Sequence, residues 1–162
     1  MKVSVKLFPA FDIPKIGMYV KKDNTFHTIA SLCSNEGVII ENGEYIAKES
    51  IRLHKMYVFS KRKFIGELAF SEYNKVKENQ TYEMYVIHKL LAVPIGTKVR
   101  VIKINSNMIT PNMDIFNLVG EVIAVNHNTY TIKLENAIMV VKRHYFIALD
   151  SKNTHSVCYL EK

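Results

Sequence analysis

Three runs of cations carry most of the chemistry that this sequence could perform. Lys48, Arg52, Lys55, Lys61, Arg62 and Lys63 follow one another with only Glu49 opposing them. Lys98, Arg100 and Lys103 stud one short alternating segment, and Lys142 and Arg143 stand beside His144. Side chains of this type neutralise phosphates. Each such contact releases condensed counterions, so binding of this kind falls steeply with salt. The whole chain leans the same way, with 22 Lys plus Arg against 15 Asp plus Glu and a formal charge of +7. That balance favours a polyanionic partner, nucleic acid first. Any one cluster taken alone is equally explained as a solvated face or as edge-strand protection; three clusters in one chain favour a continuous phosphate-binding surface.

Other chemistry finds little support. The histidines at 27, 54, 88, 127, 144 and 155 form no HExxH or related ligand pair, and the carboxylates are scattered. There is no GxSxG or phosphate-loop pattern, and six glycines are few for a backbone cradle. The expectation is therefore a protein with no catalytic residues, no metal site and no cofactor. Cys33 and Cys158 lack partners at ligand spacing and sit among apolar residues, as buried thiols in a reducing cytosol do. No signal peptide and no run long enough to span a membrane is visible. Base readout has no helix-turn-helix, zinc-finger spacing or RNP aromatic motif behind it. Tyr19, Tyr45, Tyr57 and Tyr130 could stack on bases or cage a cation, but core or rim packing is the favoured reading.

The elements that would position the cations read as β. Val119–Leu149 is three consecutive short strands with turns at Asn126-His127-Asn128 and Glu135-Asn136. Shifted by 94 positions without a gap, Ile29-Ala30 falls on Ile123-Ala124, Glu41-Asn42 on Glu135-Asn136 and Lys48 on Lys142. The apolar phase is kept, which argues for two copies of one small β unit, because a one-residue slip turns a strand inside out. Lys2–Phe8 alternates as a strand, and Pro9 and Pro14 frame a turn. Asn42-Gly43 is the strongest hairpin signal and suggests a type I′ turn. Ser71–Glu78 and Thr81–Leu91 are read as helical, although Tyr82, Met84 and Val86 also fit a strand. In the second copy Val99 and Val101 should face in and Lys98 and Arg100 out. A longer loop runs from Asn105 to Asn117, Asp150–Thr154 is a polar turn, and Ser156–Leu160 should close the fold against the N-terminal strand.

The pattern Pro94-Ile95-Gly96-Thr97-Lys98-Val99-Arg100-Val101, followed after a loop by Gly120-Glu121-Val122-Ile123, resembles the KOW and Tudor-like SH3-fold barrels. The resemblance covers 94–149 well and 14–53 less well, since Phe26 stands where the second strand would carry glycine. Such barrels bind RNA, DNA, ribosomal proteins or modified peptides, so the fold leaves function open. In length, basic charge, tandem units and the opening MKVSVKLFPAFDIPKIGMYV, the chain also resembles the early transcription modifiers of T-even bacteriophages. That resemblance implies DNA binding with little sequence preference in an infected bacterial cell, close to the nucleoid, with host nucleoid or transcription proteins as further partners.

The resulting expectation is a mainly β protein of two SH3-like barrels joined by a short helical segment. A first unit would span 1–60, a helical connector 61–93 and a second unit 94–162. Units of about 55 residues are marginal alone and should share core or be braced by what lies between them. Basic faces would contact duplex DNA through its phosphates. The alternatives are docking on RNA polymerase or the ribosome, and RNA binding.

Overall fold

A computed structural model describes residues 1–86, 92–102, 118–149 and 156–162, and among these residues the fold is mainly β with no α-helix. Fourteen strands are present among the described residues, interrupted by short 3₁₀ turns. Lys103, the loop from Asn105 to Asn117, the expected polar turn at Asp150–Thr154 and the end of the second expected helix all lie outside the described residues.

Two parts of the chain fold as five-stranded meanders with the same strand order. In the first, β2 (Tyr19–Lys22), β3 (Thr25–Leu32), β4 (Val38–Ile40) and β5 (Tyr45–Ile46) follow one another, and a 3₁₀ turn at Lys48–Ser50 leads into β6 (Leu53–Ser60). β6 returns to pair with β2, giving the order β6-β2-β3-β4-β5. The second comprises β9 (Lys98–Val101), β10 (Leu118–Val125), β11 (Tyr130–Lys133) and β12 (Ile138–Val141). A 3₁₀ turn at Arg143–Tyr145 then precedes β13 (Phe146–Ala148), and the order β13-β9-β10-β11-β12 repeats the first. The three strands expected within Val119–Leu149 are thus present, with β13 as a fourth. Each meander curls around its own apolar cluster, Met18, Val20, Ile29, Val38, Ile40, Ile46 and Leu53 in one. Val99, Val101, Val122, Ile132, Met139 and Phe146 anchor the other.

The repeat is real in topology but does not follow the gapless shift of 94. Gly17 and Gly96 donate to the carbonyls of Ile29 and Val122, and these two residues donate in turn to Met18 and Thr97. Ile29 therefore corresponds to Val122, a shift of 93, and each is followed by a bulge. The neighbour Ile123, matched to Ile29 by the gapless shift, is 39% exposed, whereas Ile29 and Val122 are 1% and 0% exposed. Turns of different length move the later strands. Ile40 takes the place of Ile132, and the Lys48–Ser50 turn takes that of Arg143–Tyr145.

The residues expected to form a helical connector build a third β unit instead. β7 (Lys63–Leu68) and β8 (Thr81–Val86) are strands, and the Ser71–Glu78 segment contains only a 3₁₀ turn, Phe70–Lys75. In β8 the two-residue alternation prevails over helical spacing, because Met84 is buried while Thr81, Glu83 and Tyr85 face solvent. Together with β1 (Lys2–Pro9), β6 and β14 (Ser156–Leu160), these strands close a ring. β1 pairs with β6 and β8, β6 with β7, β7 in parallel with β14, and β14 with β8. The C-terminal strand therefore does not pair with the N-terminal one; β8 lies between them. Val3, Val5, Met56, Val58, Leu68, Met84 and Cys158 fill this five-stranded barrel, and Tyr73 plugs it, accepting the Met56 N–H with its hydroxyl at 3.0 Å. Gly66 marks a close approach of β7 and β14, since a Cβ there would stand 2.4 Å from the Ser156 carbonyl oxygen.

β6 belongs to both the first meander and the barrel, and it is buried on both faces for that reason. Its Tyr57 and Phe59 join Phe8, Phe64, Ile102 and Ile147 in a cluster that packs the barrel against the second meander. The expected sharing of core is thus supplied by an aromatic seam.

Candidate nucleic-acid interface

The predicted phosphate-binding cations fall into distinct environments once the strands place them. Lys61 and Arg62 form the two-residue turn between β6 and β7, and Lys63 opens β7, all three exposed. Lys61 and Arg62 both have positive φ, 50° and 65°, as a type I′ turn demands. Asp23 and Asn24 form the other such turn, while at Asn42-Gly43 only Gly43 is left-handed and the hairpin has a three-residue loop. The narrow tip at 61–63 therefore presents three cations, two of them on a backbone that ordinary L residues avoid.

Across the aromatic seam, the 3₁₀ turn Arg143–Tyr145 abuts the start of β7. His144 Nδ1 lies 2.7 Å from the Phe64 carbonyl oxygen, and since a carbonyl only accepts, Nδ1 carries the proton. This bond joins residues 80 positions apart and holds the Arg143–Tyr145 turn against the start of β7. The chain segments that carry two of the three sequence clusters are thereby neighbours. Lys98, exposed at the start of β9, continues the second meander's contribution. Among the described residues, none of Lys61, Arg62, Lys63, Lys98 and Lys142 is within ion-pair distance of a carboxylate.

The other predicted cations are turned to structural ends. Lys55 is largely buried and bridges Asp12 at 2.9 Å and Glu67 at 2.7 Å. Burial works against its charge, but the two carboxylates outweigh that and raise its pKa. Arg100, expected to face outward, is 5% exposed. Its face of β9 is covered by the barrel, near Tyr57 and His54, and burial lowers its pKa. Arg143 folds back over the Phe146 ring, 4.7 Å from its centroid, and donates to the Phe146 carbonyl at 3.1 Å. Burial brings its pKa down to about 10. Lys48 is exposed but bonds Glu36, and Arg52 donates to the Glu49 carbonyl at 3.1 Å. Lys103 lies outside the described residues.

The tyrosines are chiefly packing residues. Tyr57 and Tyr130 are buried, the latter edge-on to Phe146. Tyr19 leans on Tyr73, and Tyr45 is a rim residue whose hydroxyl accepts from Asn35 at 2.7 Å. No group of three or more potential metal ligands occurs among the described residues.

One feature of the surface had no counterpart among the sequence motifs. A groove of about 1020 Å³ runs between the first meander and β9–β10, walled by the Pro9–Pro14 segment. Phe11 and Ile13 stand in that wall 72% and 76% exposed. The alternation rule cannot find them, since the proline-framed segment belongs to no strand; two large apolar residues between prolines were the available signal. Compared with known proteins, the chain matches no family model, no curated protein and no solved structure.

Proposed function

We propose that this protein binds duplex DNA with little sequence preference, through the phosphates, on a surface built from the β6–β7 tip and the Lys142 turn. The observation that carries the reading is the exposed run Lys61-Arg62-Lys63 on a strand that the His144–Phe64 bond ties to the Lys142 turn, with no carboxylate among the described residues in ion-pair reach of these cations. Phosphate contacts of this kind position a protein on the duplex without reading its sequence. The shared meander order, with a 3₁₀ turn before each last strand, supports assigning both meanders to the SH3-like class. In the setting implied by the whole-chain resemblance, an infected bacterial cell, coating of nucleoid DNA would alter access for polymerase and host nucleoid proteins and so modulate transcription. The protein acts by occupancy and needs no cofactor.

The test is a titration of random-sequence duplex DNA, single-stranded DNA and duplex RNA, each at two salt concentrations, followed by fluorescence anisotropy. Duplex DNA should bind, and its affinity should drop steeply as salt rises. Absence of duplex binding at low salt removes the proposal. A preference for duplex RNA would transfer it to that polymer.

A further inference from the structure

The groove beside the Pro9–Pro14 segment is chemically unlike the cationic tip. Its volume, about 1020 Å³, lies at the upper end of the roughly 300–1000 Å³ typical of ligand pockets. Its walls are largely aliphatic, with Ile13, Leu32, Leu53 and Val119 among them, and Phe11 is its exposed aromatic. Large apolar side chains held in water at a concave site mark a binding surface. The Pro9–Pro14 segment is fixed in place. Ala10 donates to the Leu53 carbonyl at 3.0 Å, and Asp12 bridges Lys55.

The charge around the groove has a sign. Lys21, Lys48, Arg52 and Arg100 border it, against Asp12 and Glu36. Glu36 and Lys48 bond one another and Asp12 bonds Lys55, which leaves Lys21 and Arg52 as the exposed cations of the rim. His54, at the inner end, is pushed down by burial and is neutral at neutral pH. An occupant must therefore bring aliphatic surface for the walls and negative charge for the rim. A nucleic-acid strand brings the charge but little aliphatic surface, and one exposed aromatic makes a poor stacking platform.

We propose that this groove binds a short acidic, apolar peptide segment of a partner protein, making the chain an adaptor between such a protein and the polyanion held elsewhere. The exposed pair Phe11 and Ile13 would anchor the segment, and Lys21 would face its carboxylates. The groove is separate from the tip at 61–63, so this site stands whether or not duplex DNA is the other ligand.

A random twelve-residue peptide display library, selected on the full chain and counter-selected on the Phe11→Ser/Ile13→Ser variant, tests this. The sequences enriched should combine Asp or Glu with Leu, Ile or Phe. A fluorescein-labelled copy of the most enriched peptide should lose at least tenfold in affinity on Phe11→Ser/Ile13→Ser and on Lys21→Glu. Both variants change exposed residues, and unchanged thermal unfolding would verify that the fold is retained. Duplex DNA affinity of Phe11→Ser/Ile13→Ser should equal that of the parent. No enrichment over the variant, enrichment of basic or uncharged peptides, or loss of DNA binding in Phe11→Ser/Ile13→Ser would overturn the proposal; the last would make nucleic acid the occupant.

Discussion

Replacing Lys61-Arg62 by Asn-Gly separates what the β6–β7 tip does for the fold from what it does for binding. Both residues are held at positive φ, 50° and 65°. The left-handed conformation costs an L residue on the order of 1–2 kcal/mol. Asn tolerates it, and Gly does so freely but loses about 0.5–1 kcal/mol to its larger unfolded-state entropy. The net expectation for Lys61→Asn/Arg62→Gly is a stabilisation of about 1–2 kcal/mol. At about 2–4 °C per kcal/mol for a chain of this size, Tm should rise by about 5 °C. The same change removes two cations from the proposed interface. With a slope of about 0.9 per phosphate contact, the salt dependence of log K for duplex DNA should flatten by about 2. Thermal unfolding and anisotropy over a salt series measure the two effects independently. An unchanged or lower Tm refutes the strain argument. A higher Tm with an unchanged salt slope leaves the turn as described and takes the interface away from it.

Four further substitutions probe the assignments. Lys55→Met leaves Asp12 and Glu67 facing one another and should cost about 3 kcal/mol in urea unfolding without altering the DNA salt slope. Burial alone would raise the Asp12 carboxyl, but Lys55 and the Ile13 N–H hold it below its usual value. A lowered carboxyl stabilises above its unfolded pKa, so the parent's advantage over Lys55→Met should persist at neutral pH and shrink as pH falls below about 4. Gly66→Ala drives a Cβ into the Ser156 backbone and should cost about 2–3 kcal/mol, with hydrogen exchange accelerated most in Ser156–Leu160; undiminished protection there contradicts the tight approach. Lys142→Glu should weaken duplex binding with stability within about 0.5 kcal/mol of the parent. Arg143→Met should do the reverse, losing about 1–2 kcal/mol through its ring and carbonyl contacts with Phe146 while the salt slope holds.

Strand existence was legible wherever one face is buried and the other wet, as in β11, where Tyr130 and Ile132 point inward between polar neighbours. Legibility failed at the double role of β6: a strand is expected within 54–64 and is there, but it is covered on both faces and gives no alternation to say which sheets it serves. It failed again at β8, whose six residues satisfy both the helical and the strand period. The repeat was visible because apolar phase survives divergence, but turns of unequal length shift the true correspondence by one to two residues within a few strands. The cations show the same boundary. A sequence locates a charge along the chain, yet whether it meets solvent depends on partners far away. Lys55 acquires Asp12 and Glu67, and Arg100 acquires a barrel on its outer side, from segments remote in sequence. Lys61-Arg62-Lys63 stayed exposed because a two-residue hairpin tip has nothing beyond it.

The slot that β14 fills between β7 and β8 sets a timetable for synthesis. Strands β1, β6, β7 and β8 are all available once residue 86 has left the ribosome, but the parallel pairing that closes the ring needs residues 156–160. At roughly 5–20 residues per second the nascent chain waits about 4–15 s with the facing edges of β7 and β8 unpaired. Open edges of that kind recruit strands from other chains. The intervening meander, β9 to β13, is synthesised during the same interval, so the inserted unit emerges before the one that surrounds it can be sealed. Slower elongation after residue 86 should therefore increase misassembly, and a chaperone that shields an exposed β edge should act on this chain during that window.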